Sequence, residues 1–326
     1  MGLRRWALAT ILGLGWFASP AQGRAQAREL HVVRFATLAP SALLWTHAVA
    51  NAEGFYAKHG LKVEDLRAGS STALLQAVAT GSADAGASLG DAVIRAVDQG
   101  APVVIAGAMI EKSILRLVVA KGVKSLKELD GAPVTAGAVQ GGTANLLRYQ
   151  LKEAGVDPNS LKMISITNSK DRVVALENGQ VKAALLIAPF DVLAERQGMK
   201  VLGAYQKPYI ETPLIFNKPW AARNRPTADA MTQALKEASD WIYDPANEAK
   251  AIDILAAYTS VPRDVCAESY KFIVQEHQAI GRGLRVQPAG LENIVRVDEA
   301  LGAAPVGQSA KFDLSKYFDP SFLAGR

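Results

Sequence analysis

The chain has a single cysteine, Cys266, in 326 residues. No intramolecular disulfide can form, and one thiol argues against a cysteine-built zinc site. Cys266 itself reads as a buried helix residue. Histidine is almost as sparse: His31, His47, His59 and His277 make no close His-x-x-x-His pair and sit in no carboxylate motif. No metal and no cofactor is expected. The Gly141-Gly142-Thr143 turn lacks a following Lys-Ser/Thr, which excludes a P-loop. Charge of one sign is also scarce. The formal net charge is +5, and removing Arg4, Arg5 and Arg24 of the first 27 residues leaves +2. So small an excess gives no support to nucleic-acid binding.

What is present begins with an export pattern. Arg4 and Arg5 form a basic start, Trp6 to Ala18 an apolar core too short for a comfortable membrane span, and Ala25-Gln26-Ala27 a small-x-small cleavage site. Residues 1–27 therefore read as a signal peptide, removed after Ala27, and the mature protein as periplasmic. Apolar content of 49% and charged content of 21% describe an ordinary globular chain.

The stretch Gly69 to Asp91, GSSTALLQAVATGSADAGASLGD, organises the rest. Gly69-Ser70-Ser71-Thr72 offers N-cap residues before an apolar helical run. Gly81 stands where a helix stops, because glycine enters the left-handed region freely. Ser82 to Ala87 is a short small-residue strand, and Ser88 to Asp91 opens a second helix. The segment QAVATGSADAGA (76–87) is echoed by VALENGQVKAAL (174–185), which predicts two related lobes.

Along the chain, strands are expected over His31–Thr37, Leu61–Ala68, Ser82–Ala87 and Ala101–Ile110, with helices between them. A second series of strands and helices runs from Ile114 to Tyr205, including strands over Leu161–Thr167 and Val181–Ala188, and a helix with Pro189 at its first position. Ile210–Asn217 reads as a returning strand, and Pro213 marks it as an edge or hinge segment. Four helices follow, each with proline near its start, and Asp313 to Arg326 closes as a tail docked on the first lobe. The fold class is α/β: two lobes, each a mostly parallel sheet flanked by helices, with a C-terminal helical region. The expected division is 1–27 signal peptide, 28–110 first part of lobe 1, 111–208 lobe 2, and 209–326 return to lobe 1 and C-terminal helices. Two crossings join the lobes, near 108–114 and 205–212.

The segments NAEGFYAKHGLKVEDLRAGSSTALLQAVATGSADAGASLGD, VKSLKELDGAPVTAG, ALENGQVKAALLIAP, WIYDPANEAKAIDIL and YFDPSFL, in that order and spacing, resemble the ABC-transporter periplasmic binding proteins of the nitrate/sulfonate/taurine type, including relatives that bind thiamine-pyrimidine precursors. The resemblance covers nearly the whole mature chain. Lys182 stands where the family's second repeat usually has Asp, at a turn. The resemblance implies a type II-like periplasmic-binding-protein fold, two hinged lobes around a ligand cleft, and a membrane-embedded ABC permease as partner. The chain is expected to be a monomer and to bind no nucleic acid.

In open α/β sheets, ligands sit beyond the carboxyl ends of the strands, where helix N-termini point. That places Thr37, Ser41, Trp45, Ser70, Ser71, Thr72, Ser88 and Asp91 at the cleft from lobe 1, and Gly142, Thr143, Asn168, Pro189 and Phe190 from lobe 2. Hydroxyls and backbone N–H groups suit sulfonate, nitrate or carboxylate oxygens. Trp45 and Phe190 suit an organic body, and Asp91 or Glu111 a ligand ammonium. Plain structural roles compete: capping for the hydroxyls and Asp91, core packing for Trp45, a solvated hinge for Glu111-Lys112. Arg148, Lys170 and Arg172 read as surface charges, with Lys170 or Arg172 able to reach the cleft. The scarcity of an obvious pocket arginine argues against a small inorganic anion held by charge alone.

The expected function is capture of a small anionic organic solute and its delivery to a permease. A pyrimidine-like heterocycle or a sensory ligand-binding module are alternatives. Gly86-Ala87-Ser88-Leu89-Gly90 is a literal G-x-S-x-G between strand and helix, which raises a serine hydrolase. Against it, His277 is the only downstream histidine and lies within an apparent helix, and no HGGG segment occurs upstream. No catalysis is expected.

Overall fold

The computed structural model describes Gly2 and residues 30–324; the expected signal peptide and its cleavage site lie outside the described residues. Ten strands form two five-stranded sheets. The first holds β1 (His31–Thr37), β2 (Leu61–Arg67), β3 (Ala85–Ala87), β4 (Val103–Lys112) and β10 (Pro208–Asn217), in the order β2-β1-β3-β10-β4. The second holds β5 (Leu115–Val119), β6 (Pro133–Thr135), β7 (Lys162–Met163), β8 (Ala183–Ile187) and β9 (Lys200–Ala204), in the order β7-β6-β8-β5-β9. In each sheet four strands run one way and one runs against them. β10 is antiparallel to β3 and β4, and β5 is antiparallel to β8 and β9. These two reversed strands are the ones that follow the crossings between sheets, after β4 and after β9.

Helices cover the sheets. In the first half these are α1 (Trp45–Ala52), α2 (Phe55–Lys58), α3 (Ser71–Thr80) and α4 (Gly90–Asp98), then α5 (Gly142–Glu153), α6 (Ser169–Glu177) and α7 (Phe190–Arg196). The C-terminal region adds α8 (Lys218–Arg223), α9 (Arg225–Ile242), α10 (Glu248–Thr259), α11 (Arg263–Tyr270) and α12 (Pro288–Ala300). The internal echo has a structural counterpart. α3 leads through Gly81 into β3, and α6 leads through Gly179 into β8; the glycines have φ of 79° and 68°. β3 and β8 hold equivalent places in their sheets.

Several expected elements differ. β10 is an interior strand, not an edge. Pro213 is tolerated there because the pairing with β4 shifts register between Thr212 and Pro213, where an N–H would otherwise be needed. The strand expected over Leu161–Thr167 shrinks to Lys162–Met163 plus an isolated bridge from Ile166 to Gly137. The carbonyls of Ile166 and Thr167 instead accept from the Arg172 guanidinium, at 2.8 Å each. Pro189 is the N-cap of α7 rather than its first residue. The helix expected to carry His277 ends in a π-helical turn, Lys271–Glu276, and His277 follows it. The tail docks on the first lobe: Phe318 bridges Ile105, and the Ile105 N–H donates to the Tyr317 carbonyl at 2.8 Å. β4 would otherwise be an open edge.

The core of the first lobe closes around α1. Trp45 is fully buried, with its ring edge-on to Tyr270 at 5.8 Å and its indole N–H donating to the Ala251 carbonyl at 3.0 Å. Trp45→Ala should therefore cost about 3–5 kcal/mol of stability through the cavity it leaves. Trp45→Phe, which keeps most of the volume, should cost less. Denaturant unfolding of the two variants checks this, and equal losses would contradict it.

Candidate functional site

A cavity of about 780 Å3 lies between the two sheets. From the first lobe it is lined by segments 38–44, 67–72 and 87–89, with Ala92, Arg95 and Thr212; from the second by 137–138, 140–143 and 167–172, with Ile187 and Phe190. Tyr258 to Ser260, at the end of α10, complete the wall. The starts of α3, α4, α5, α6 and α7 all reach this cavity. The α3 start is capped by Ser70, whose Oγ accepts from the Ala73 N–H at 3.2 Å. The α6 start is capped by Asn168, whose Oδ1 accepts from the Asp171 N–H at 2.8 Å. α4 and α5 have no side-chain cap. The Asp91 carboxylate instead accepts from first-turn N–H groups of α4, at Asp91 and Ala92, and also lies against Gly142 at the α5 start.

Nine of the expected residues line the cavity: Ser41, Ser70, Ser71, Thr72, Ser88, Gly142, Thr143, Asn168 and Phe190. They come from both lobes. Four do not. Thr37 is buried behind the wall, and its Oγ1 has no partner. Trp45 is core, because its ring fills the space between α1 and Tyr270. Pro189 lies outside the lining. Asp91 is neither a cap nor a lining group. It is the second residue of α4, and its carboxylate accepts from Arg95, one turn on, at 2.5 Å. Asp91 also occupies the space a side chain at Gly142 would need, so the two lobes touch there. Glu111 is likewise no solvated hinge: it is buried and paired with Arg285 at 2.7 Å.

The hydroxyls divide into engaged and unengaged groups. The Thr143 hydroxyl donates to the Ala136 carbonyl, and Ser169 Oγ accepts from the Ile187 N–H at 3.1 Å. Ser88 Oγ and Thr212 Oγ1 are buried, line the cavity and have no partner among the described residues. A buried hydroxyl left unpaired is costly, so these two are candidates for contact with a bound solute.

The largest departure from the sequence reading is Arg172. It is 2% exposed, on the cavity wall, and not a surface charge. Its guanidinium donates to the carbonyls of Ile166, Thr167 and Leu185. Among the described residues no carboxylate pairs with it, and burial lowers its pKa to about 10. It remains a cation at neutral pH. The helical pattern held the signal for this burial: Arg172 lies one turn before Leu176 and three residues after Ser169, on the face that is buried. Arg67, Arg95, Lys170, Thr212 and Tyr258 also line the cavity. Of these only Lys170 was weighed as able to reach it.

Ser88 lacks the partner that a hydrolase nucleophile needs. His277 Nε2 lies 3.1 Å from the Ser113 carbonyl, and its ring stacks on Phe272.

Beside the cavity, Glu211 on β10 is buried. Burial pushes its carboxyl up to about 8, against a hydrogen bond with Ser113 and with help from the charge of Asp91. Burial also raises Asp91 and Asp298, despite Arg95 beside them.

Residues 45–249 match the profile of the family described as NMT1/THI5 like. No curated protein matches the chain. Among solved structures, the nitrate-binding protein NrtA from Synechocystis is similar at 16% identity and a TM-score of 0.74, covering 91% of this chain and 88% of that one. The alkanesulfonate-binding protein SsuA from Xanthomonas axonopodis pv. citri, bound to MOPS, is similar at 16% identity and a TM-score of 0.69, covering 85% and 95%. A ligand-binding component of an ABC-type import system from Staphylococcus aureus, with zinc bound, is similar at 15% identity and a TM-score of 0.72, covering 90% and 98%. The fold is that of the two-lobed periplasmic binding proteins.

The raised Glu211 carboxyl has a consequence for stability. The folded state holds its proton up to about pH 8, whereas an unfolded Glu loses it near 4.5. Its stabilising contribution is therefore complete below pH 4.5 and is lost as pH rises toward 8, amounting to on the order of 4 kcal/mol. Glu211→Gln should flatten that part of the stability–pH curve, measured by urea unfolding between pH 5 and 8.5. The raised Asp91 and Asp298 leave a residual slope of the same sign. A variant curve parallel to the wild type would refute the assignment.

Proposed function

We propose a function for a chain that belongs to the NMT1/THI5-like family: it captures a small anionic organic solute in the cavity between its lobes and delivers it to an ABC permease. The observation that carries this reading is Arg172, a buried cation on the cavity wall without a carboxylate partner among the described residues. A buried charge is tolerated when something pairs with it. An anionic solute supplies that partner. The hydroxyls of Ser88 and Thr212, without partners among the described residues, add donors of the same preference. The cavity volume favours a solute with an organic body over a bare inorganic anion. Leu38, Leu43, Leu44 and Phe190 supply apolar contact for that body.

In this reading lobe 1 comprises 28–110 and 209–326, lobe 2 comprises 111–208, and closure turns on the two crossings. The site would be Ser41, Ser70, Ser71, Thr72, Ser88, Gly142, Thr143, Asn168 and Phe190, with Arg172 and Thr212 added. Residues 1–27 direct export to the periplasm, and the exported chain acts as a monomer. The structural neighbours are a nitrate-binding protein, an alkanesulfonate-binding protein bound to MOPS and an import component with zinc bound. A zinc reading has little to rest on here, since among the described residues no group of three or more His, Cys, Asp or Glu is placed to hold a metal.

A thermal-shift panel of alkanesulfonates, taurine, nitrate, aromatic carboxylates and hydroxymethyl-pyrimidines tests the reading. A solute at about a hundred times its dissociation constant adds roughly 2.7 kcal/mol of stability. At least one organic anion should raise the melting temperature. A response to neutral pyrimidines alone would replace the anion reading with a heterocycle.

A further inference from the structure

The charges around the cavity are divided between its two walls. Four cationic side chains line it: Arg67, Arg95, Lys170 and Arg172. Arg95 is matched within the protein, by Asp91 at 2.5 Å and Asp298 at 3.5 Å. The other three have no carboxylate within 4 Å among the described residues. Arg67 ends β2 on the first-lobe wall, just before the α3 start. Lys170 and Arg172 stand on α6 in the second-lobe wall, with one acid between them, Asp171. Arg67 is thus a cation without a carboxylate partner on the first wall, and Lys170 and Arg172 on the second exceed Asp171 by one charge.

Each wall also has its own set of donors. On the first are the buried hydroxyls of Ser88 and Thr212, without partners among the described residues. On the second is Arg172, with the α5 start beside it. A single acidic group satisfies one wall and leaves the other charge facing the cavity. We infer that the solute is a two-headed organic anion, a dicarboxylate or its sulfonate counterpart, with one acidic group seated on each wall. Such a solute ties the lobes together and so favours the closed state by its contacts to both. This inference rests on the solute-binding reading above.

Isothermal titration of the purified protein with matched pairs tests it: hexanoate against adipate, and benzoate against phthalate and terephthalate, with the corresponding diamides as neutral controls. At least one diacid should bind about tenfold tighter than its monoacid, the effect of one charge-assisted hydrogen-bonding group. Arg67→Gln and Lys170→Gln, both at exposed positions, should each weaken that diacid about tenfold. A monoacid should respond to only one of them. The inference falls if monoacids or diamides bind as tightly as diacids, or if no diacid binds at millimolar concentration. Tight monoacid binding would leave the solute-receptor reading standing and remove only the second head. Binding of neutral heterocycles alone would remove both.

Discussion

The constraint on which the structure depends is that the chain crosses between its sheets twice. Each crossing delivers one reversed strand, β5 into the second sheet and β10 into the first. The three strands on the far side of each reversed strand are parallel, and parallel strands need helical crossovers. Those crossovers start beyond the strands' carboxyl ends. With both sheets built this way and facing one another, five helix starts converge on one cavity. The polarity of the site is thus a product of chain topology before any particular side chain is considered.

The side chains then add positive charge to this polar cavity. Arg172 combines two roles. Its three donors hold the carbonyls of Ile166, Thr167 and Leu185, and in doing so they end the edge strand β7 early and fix the turn leading into α6. Its charge is left over. On the other side of the cavity Arg95 spends its charge within the protein, between Asp91 and Asp298, and that trio sits where α4, α5 and α12 meet. Asn145 of α5 donates to Asp298 at 2.9 Å, and Asp91 fills the space left by Gly142. Similar arginines therefore do different work: Arg95 holds the two carboxylates that meet α5, and Arg172 keeps its charge at the cavity wall.

Contacts between the lobes run along both rims. The Ala42 N–H donates to the Ala188 carbonyl at 2.9 Å. Arg196 of α7 pairs with Asp264 and Glu268 of α11. Those carboxylates are exposed, so solvent screens both pairs.

The sequence by itself determined the repeat and its punctuation. Gly81 and Gly179 end equivalent helices because only a residue free of Cβ strain turns there readily. Ser70 and Asn168 cap helices because their side chains accept from N–H groups three residues on. These are local interactions, and local spacing reveals them. The nine cavity residues anticipated from strand ends follow from the same topology. The tertiary structure alone decided the rest. Trp45 and Asp91 sit at the positions expected for ligand contacts, yet Tyr270 and Arg95 claim them. Pro213 lies in an interior strand because a partner 100 residues earlier shifts register to receive it. Arg172 looked like a surface charge because a list of residues does not say which carboxylates come near. Whether a charge is spent or free depends on distances between segments far apart in sequence, and only the folded chain fixes those.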